Sequence, residues 1–204
     1  MYYTLVVIDD FLDAADLLRA KALAAVYPKP EEQTYFPGRN AQDPILVEGI
    51  DELVSDIVGE KLVPATGNSH GKFRLALDGD QGKGGVHIDQ CYWSGILYLS
   101  KDEDCIGGTD FYRHKASNSD HGPLNKEQLK QRGFNNYQEF WDDLRVNGRE
   151  FDQWQLTSHI PMKYNRLVLF RPWLYHNAGP GFGDSVANGR IIYPLFYNST
   201  QCSY

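Results

Sequence analysis

A chain of 204 residues with 42% hydrophobic content can bury one substantial core, so a single domain is expected. Twenty Lys and Arg against 27 Asp and Glu give a net charge of −7, which argues against a nucleic-acid partner and its need for a basic face. No run is apolar enough to span a membrane, Leu5 to Ile8 is too short for a secretory signal, and three cysteines (Cys91, Cys105 and Cys202) in no paired spacing fit a reducing cytoplasm.

In chain order, Asp13 is placed to N-cap a helix, with Asp16 at its positive end. Leu17 to Val26 propagates that helix until Pro28 and Pro30 end it. Ile50, Leu53, Val54, Ile57 and Val58 recur at helical spacing and predict an amphipathic helix closed near Gly59. From Lys72 the chain turns to short aromatic and β-branched runs punctuated by Gly and Asp, which read as strands. Between about 115 and 155 it becomes polar and helical, with capping pairs at Asn125/Gln128 and Asn136/Glu139. Tyr137, Phe140, Trp141 and Leu144 share one face of the second helix. That stretch either packs its aromatic stripe on the sheets or folds over a pocket as a lid. The pattern as a whole predicts a mostly β fold with flanking helices: a double-stranded β-helix, or jelly roll, supported by N-terminal helices.

The chemistry concentrates in His87-Ile88-Asp89, His176 and Arg190. Two imidazoles and a carboxylate form the facial triad that holds Fe(II) while leaving positions open. On a strand, residues i and i+2 share a face, so His87 and Asp89 can grip one ion, with His176 arriving from a distant strand. The remaining histidines, His70, His114, His121 and His159, lack such a carboxylate and read as surface or locally bonded residues. Cys91 and Cys105 read as small core residues, and Trp93, Phe111 and Trp173 as core aromatics, while Arg74 is a candidate to face the pocket.

The order of these features resembles the Fe(II)/2-oxoglutarate-dependent dioxygenases, particularly the prolyl-4-hydroxylase-like branch. It runs from His-x-Asp to the aromatic strand Tyr92 to Leu99, the turn at Gly107-Gly108-Thr109, the strand at Asp110-Phe111-Tyr112, His176 and Arg190. Leu5 to Leu12 is similar to that family's first strand. The resemblance implies His87, Asp89 and His176 as iron ligands, with 2-oxoglutarate and O2 as co-substrates. Arg190 would be the bidentate partner of the distal 2-oxoglutarate carboxylate. Where the family often places a hydroxyl residue two positions after this Arg, here stands Ile192, so Tyr98 or Tyr193 is expected to supply a phenol. The implied reaction is hydroxylation or desaturation of a small molecule, amino acid or peptide side chain. Halogenases of this family lack the carboxylate that Asp89 provides. Two other readings stay open: a cupin-type metal-binding jelly roll with non-oxidative chemistry, and a non-catalytic binding module on the same fold. Arg190 speaks against the cupin reading, which has no need for a cation at that spacing; its own alternative role is a structural ion pair.

Overall fold

The computed structural model describes residues 3–200, so Cys202 lies outside the described residues. The chain is mostly β and forms two antiparallel sheets. Its elements in order are β1 (Leu5–Ile8), α1 (Ala15–Ala24), β2 (Arg39–Asn40), α2 (Ile50–Val58), β3 (Leu62–Pro64), β4 (Arg74–Ala76), β5 (Trp93–Tyr98), β6 (Gly108–His114), α3 (Lys126–Gln131), α4 (Tyr137–Asn147), β7 (Trp154–Pro161), β8 (Leu167–Phe170), β9 (His176–Ala178) and β10 (Arg190–Ser199). The larger sheet runs β1-β8-β5-β10-β4-β2, and β3 pairs with the far end of β10. The smaller sheet runs β7-β6-β9. Two antiparallel sheets built from strands distant in sequence make the expected jelly-roll core, with α1 and α2 supporting the larger sheet.

Period-two alternation decides which side of the large sheet becomes core. Along β10, Ile191, Tyr193, Leu195 and Tyr197 point toward α1 and α2, where Leu18, Ala22, Ile50, Val54 and Val58 meet them. Trp93 and Leu97 of β5 and Leu167 and Leu169 of β8 join that layer. The intervening residues Ile192, Tyr98, Val168 and Phe170 face the smaller sheet. Burying an aliphatic side chain contributes roughly 1.5–3 kcal/mol each, so this layer is the chief apolar anchor of the helices.

The amphipathic helix forms as expected and closes at Gly59, whose φ of 69° suits a residue without Cβ. The first helix differs. Its N-cap is Ala14 rather than Asp13, with no side-chain cap, and it ends at Ala24 before either proline. Tertiary packing of Leu18 and Ala22 on the sheet therefore sets its limits more than local capping does.

The 115–155 stretch holds α3 and α4. Asn125 Oδ1 accepts from Gln128 N at 2.9 Å and Asn136 Oδ1 from Glu139 N at 3.0 Å, so both capping pairs form. Phe140 and Leu144 are buried with Val86, Tyr112, Trp154 and Tyr175 behind the smaller sheet, whereas Tyr137 remains exposed. The Phe140 and Leu144 part of the stripe packs on the sheet, in the sense of the first of the two readings, while its Tyr137 end does not.

Candidate metal centre

His87 and Asp89 do not lie in one of the regular strands. His87 instead forms an isolated antiparallel bridge with His176 at the start of β9: His87 N donates to His176 O and His176 N to His87 O, both at 2.9 Å. A hydrogen-bonded antiparallel pair puts its two side chains next to each other on one face, which brings the imidazoles to 4.2 Å between centroids. Asp89 N donates to Pro172 O at 3.0 Å, and this fixes the carboxylate beside them. One ligand atom from each of His87, Asp89 and His176 lies within 4.8 Å of the others.

The two rings share an orientation. His87 Nδ1 lies 2.9 Å from Gly85 O and His176 Nδ1 lies 2.8 Å from Leu174 O. A carbonyl only accepts, so each Nδ1 is the donor there, and each ring turns its Nε2 to the cluster. Both Nε2 atoms face Asp89, at 3.8 Å from Oδ1 for His87 and 3.3 Å from Oδ2 for His176. Ser94 donates to Asp89 Oδ2 at 2.6 Å, and Cys91 Sγ lies 3.3 Å from the Ser94 hydroxyl. Burial and the neighbouring His176 push the His87 pKa down to about 4, keeping the ring neutral. Burial acts to raise the Asp89 pKa, but both histidines and Ser94 overcome it and hold the value at about 2. Two imidazoles and one ionised carboxylate, oriented by outer hydrogen bonds, fit a divalent cation of the Fe(II) type.

This cluster opens on a cavity of about 230 Å³ between the sheets. Its floor is the inward row of β10: Arg190, Ile192, Pro194 and Phe196. Arg190 is buried, and among the described residues it has neither a carboxylate at ion-pair distance nor a hydrogen-bond acceptor. Its Nε is a buried donor left unpaired. Burial lowers its pKa, although a guanidinium remains charged. The buried Arg171 is a contrast, since it pairs with Glu60 and sits against the rings of Tyr92, Trp93 and Trp173.

Tyr98 is one residue removed from the cavity. Its hydroxyl lies 2.7 Å from Thr109 Oγ1, and it is Thr109 that lines the wall. Thr109 reaches that place because β6 starts at Gly108, where a Cβ would overlap the Ile160 carbonyl. Tyr193 points to the opposite face and donates to Ile45 O at 2.6 Å. Arg74 lines the cavity as expected, while Trp93, Phe111 and Trp173 do not. His70 departs from expectation: it is buried between α2 and β10, where its Nδ1 meets the Phe196 backbone and its Nε2 faces Asp51. His159 pairs with Asp110 at 2.5 Å outside the smaller sheet. No residue of 115–155 lines the cavity. Phe36, Pro37 and Asn40 do so instead, with Phe36 packed 4.8 Å from the His87 ring. Phe36 and Thr109 were missed in sequence, although the Gly-Gly-Thr turn marked the second.

A family model described as a family of unknown function, DUF6445, matches residues 80–195. The chain belongs to DUF6445. The DUF6445 match encloses His87, Asp89, His176 and Arg190 and leaves out α1, α2 and residues 36–40. Among solved structures, the DUF6445 chain is similar to HygX from Streptomyces hygroscopicus with nickel, 2-oxoglutarate and hygromycin B bound. Identity there is 13%, coverage is 97% of this chain and 83% of that one, and the TM-score is 0.48. It is also similar to an N-substituted L-amino acid dioxygenase from Burkholderia ambifaria AMMD, at 13% identity, 95% and 82% coverage and a TM-score of 0.45. No curated protein sequence matches it. Among the described residues, no helix is long and apolar enough to cross a membrane.

Proposed function

We propose that this chain is an Fe(II)- and 2-oxoglutarate-dependent dioxygenase that hydroxylates an unactivated C–H bond of a small molecule, an amino acid or a peptide side chain. Arg190 carries the proposal. A buried guanidinium without an internal acceptor is costly unless a ligand supplies the anion, and it faces the same cavity as the His/Asp/His cluster. A diacid that chelates the metal at one end and meets a bidentate fork at the other fits both features. A cupin-type site has no use for the second.

His87 Nε2, His176 Nε2 and an Asp89 oxygen would hold the ferrous ion. Iron bound there supplies the activation of dioxygen, coupled to decarboxylation of 2-oxoglutarate. The chain's own work is positional. Arg190 fixes the distal carboxylate. The Thr109 hydroxyl, held by Tyr98, stands in for the hydroxyl absent at Ile192. Ile96, Phe170 and Ile192 keep water from the reacting groups. We read residues 1–204 as one oxygenase-like unit with a helical insertion at 115–155, working in the cytoplasm, where the free thiols of Cys91 and Cys105 stay reduced.

Anaerobic addition of Fe(II) and then 2-oxoglutarate should produce a visible metal-to-ligand charge-transfer band. In Arg190→Ala, 2-oxoglutarate affinity read from that band should fall roughly thirty- to several-thousand-fold, the cost of removing one partner of a buried charge pair. Fe(II) affinity should hardly change, and Arg190→Lys should keep part of the binding as a point charge. Unchanged 2-oxoglutarate affinity in Arg190→Ala would make this arginine structural and remove the main support for the co-substrate.

A further inference from the structure

The cavity holds a second guanidinium that the co-substrate leaves unused. Arg74, on β4, pairs across the sheet with Ile192, and both side chains line the same wall as Arg190. Its acceptors are all neutral: Pro37 O at 2.9 Å from Nε, Asn40 Oδ1 at 2.7 Å from Nη1, and Phe36 O at 2.5 Å, Thr34 Oγ1 at 3.4 Å and Gly38 O at 3.5 Å from Nη2. The fork has five N–H donors, so one Nη1–H is left over. No carboxylate lies at ion-pair distance among the described residues. Burial, and next the charge of Arg190, bring its pKa down to about 10 against the opposing pull of the more distant Asp80 carboxylate, and it stays cationic at neutral pH.

Charge counting then constrains the substrate. The charged side chains on the cavity wall are Arg74, Arg190 and Asp89, since a histidine that ligates a metal, as His87 and His176 would, does so as the neutral imidazole. A divalent ion and a dianionic co-substrate cancel one another, Asp89 offsets one arginine, and one positive charge remains. Arg190 and the metal occupy the two ends of 2-oxoglutarate. The residual charge therefore sits at Arg74, whose guanidinium lies 5.6 Å from the centre of the Phe36 ring that packs on His87. Asn40, which accepts from its Nη1, lines the same cavity together with the polar residues Asn68, Ser69 and Gln90 and the apolar Pro37, Pro194 and Phe196.

Resting on the dioxygenase reading, we infer that the substrate is a small monocarboxylate with an apolar body, its carboxylate held by Arg74 Nη1 and the neighbouring amides while the body lies along Phe36, Pro194 and Phe196 near the metal. In a desolvated cavity such a contact is worth far more than at the surface.

The test loads the protein with nickel and 2-oxoglutarate and measures binding of a panel of free and N-acetylated amino acids and aliphatic acids. Each acid is paired with its own primary amide, and binding is read by calorimetry. The inference expects at least one acid to bind about tenfold or more tighter than its amide, since only the acid meets the charge. Because Arg74 also pins residues 34–40, Arg74→Gln is accompanied by Asn40→Asp. This near-isosteric change puts a carboxylate on the same Nη1. Both variants should lose the preference for the acid while still binding 2-oxoglutarate. Absence of any acid preference in the 2-oxoglutarate-loaded parent, or its survival in Asn40→Asp, overturns this inference alone. A collapse of 2-oxoglutarate affinity in Arg74→Gln comparable with that of Arg190→Ala would give Arg74 to the co-substrate and also overturn it. Failure of the parent to bind 2-oxoglutarate at all overturns the dioxygenase reading with it.

Discussion

Ser94 sits on the face of β5 turned toward the metal cluster, and its 2.6 Å hydrogen bond orients one oxygen of Asp89 in advance of any ion. Outer hydrogen bonds of this kind typically contribute ten- to a hundredfold to metal affinity, so Ser94→Ala should bind Fe(II) weaker by about that factor. Competition with a chromogenic chelator measures it, and an unaltered affinity would show that the backbone alone holds Asp89. His176→Ala should abolish tight iron binding while unfolding stays cooperative. A variant that binds iron as well as the parent would exclude His176 as the third ligand. Asp89→Gly should end hydroxylation yet keep measurable 2-oxoglutarate binding through Arg190, and full hydroxylase activity would defeat the facial-triad assignment. At this scale the sequence announces residue types whose chemistry is specific: two imidazoles, a carboxylate and an arginine in order. It hides Ser94, Thr109 and Phe36. Ser and Thr have many ordinary uses, and Phe36 reaches His87 from fifty residues away with no periodicity to mark it.

Among the elements, α4 carries more of the site than its distance from the cavity suggests. Its C-terminal Gly148 accepts from Val86 N at 2.8 Å, and a Cβ at either Gly85 or Gly148 would strike the opposing backbone. Gly85 is also the residue whose carbonyl orients the His87 ring. The helix thus braces the segment that delivers His87. Phe140→Ala, which removes the aromatic buried against Leu129 and Val86, should cost about 3–5 kcal/mol in chemical unfolding. Deleting 115–155 behind a short linker should expose Val86, Tyr112, Trp154 and Tyr175 and abolish cooperative unfolding. A deletion variant that melts like the parent would show the helices to be dispensable. The capping pairs of α3 and α4 were legible because capping is a contact over three residues. The face that these helices cover was not, since a stripe of aromatics is the same whether it closes a pocket or backs a sheet. Asp13 misled for a related reason: a good cap residue is only a local preference, and the packing of Leu18 and Ala22 overrode it.

For the molecule as a whole, the mostly β character, the two supporting helices and the division into sheets followed from runs of period two and 3.6. Strand order did not, because β1 finds β8 and β4 finds β10 across more than a hundred residues. Composition gave a surplus of acidic residues, yet two of the three charged side chains on the cavity wall are arginines. An average over the surface does not report the sign of an interior. The last strand joins these two worlds, since β10 gives one face to the helices and the other to the cavity. Along residues 190–197 a saturation scan should therefore read in two beats. Truncating Ile191 or Leu195 to Ala should lower stability by about 2–5 kcal/mol and leave 2-oxoglutarate affinity in the surviving folded fraction near that of the parent. Truncating Arg190 or Phe196 should change what binds far more than how the protein melts. If both sets gave the same mixture of effects, the wall between core and cavity would not run along this strand. If the beats separate, one strand offers two independent dials, and robustness can be raised on one side without retuning selectivity on the other.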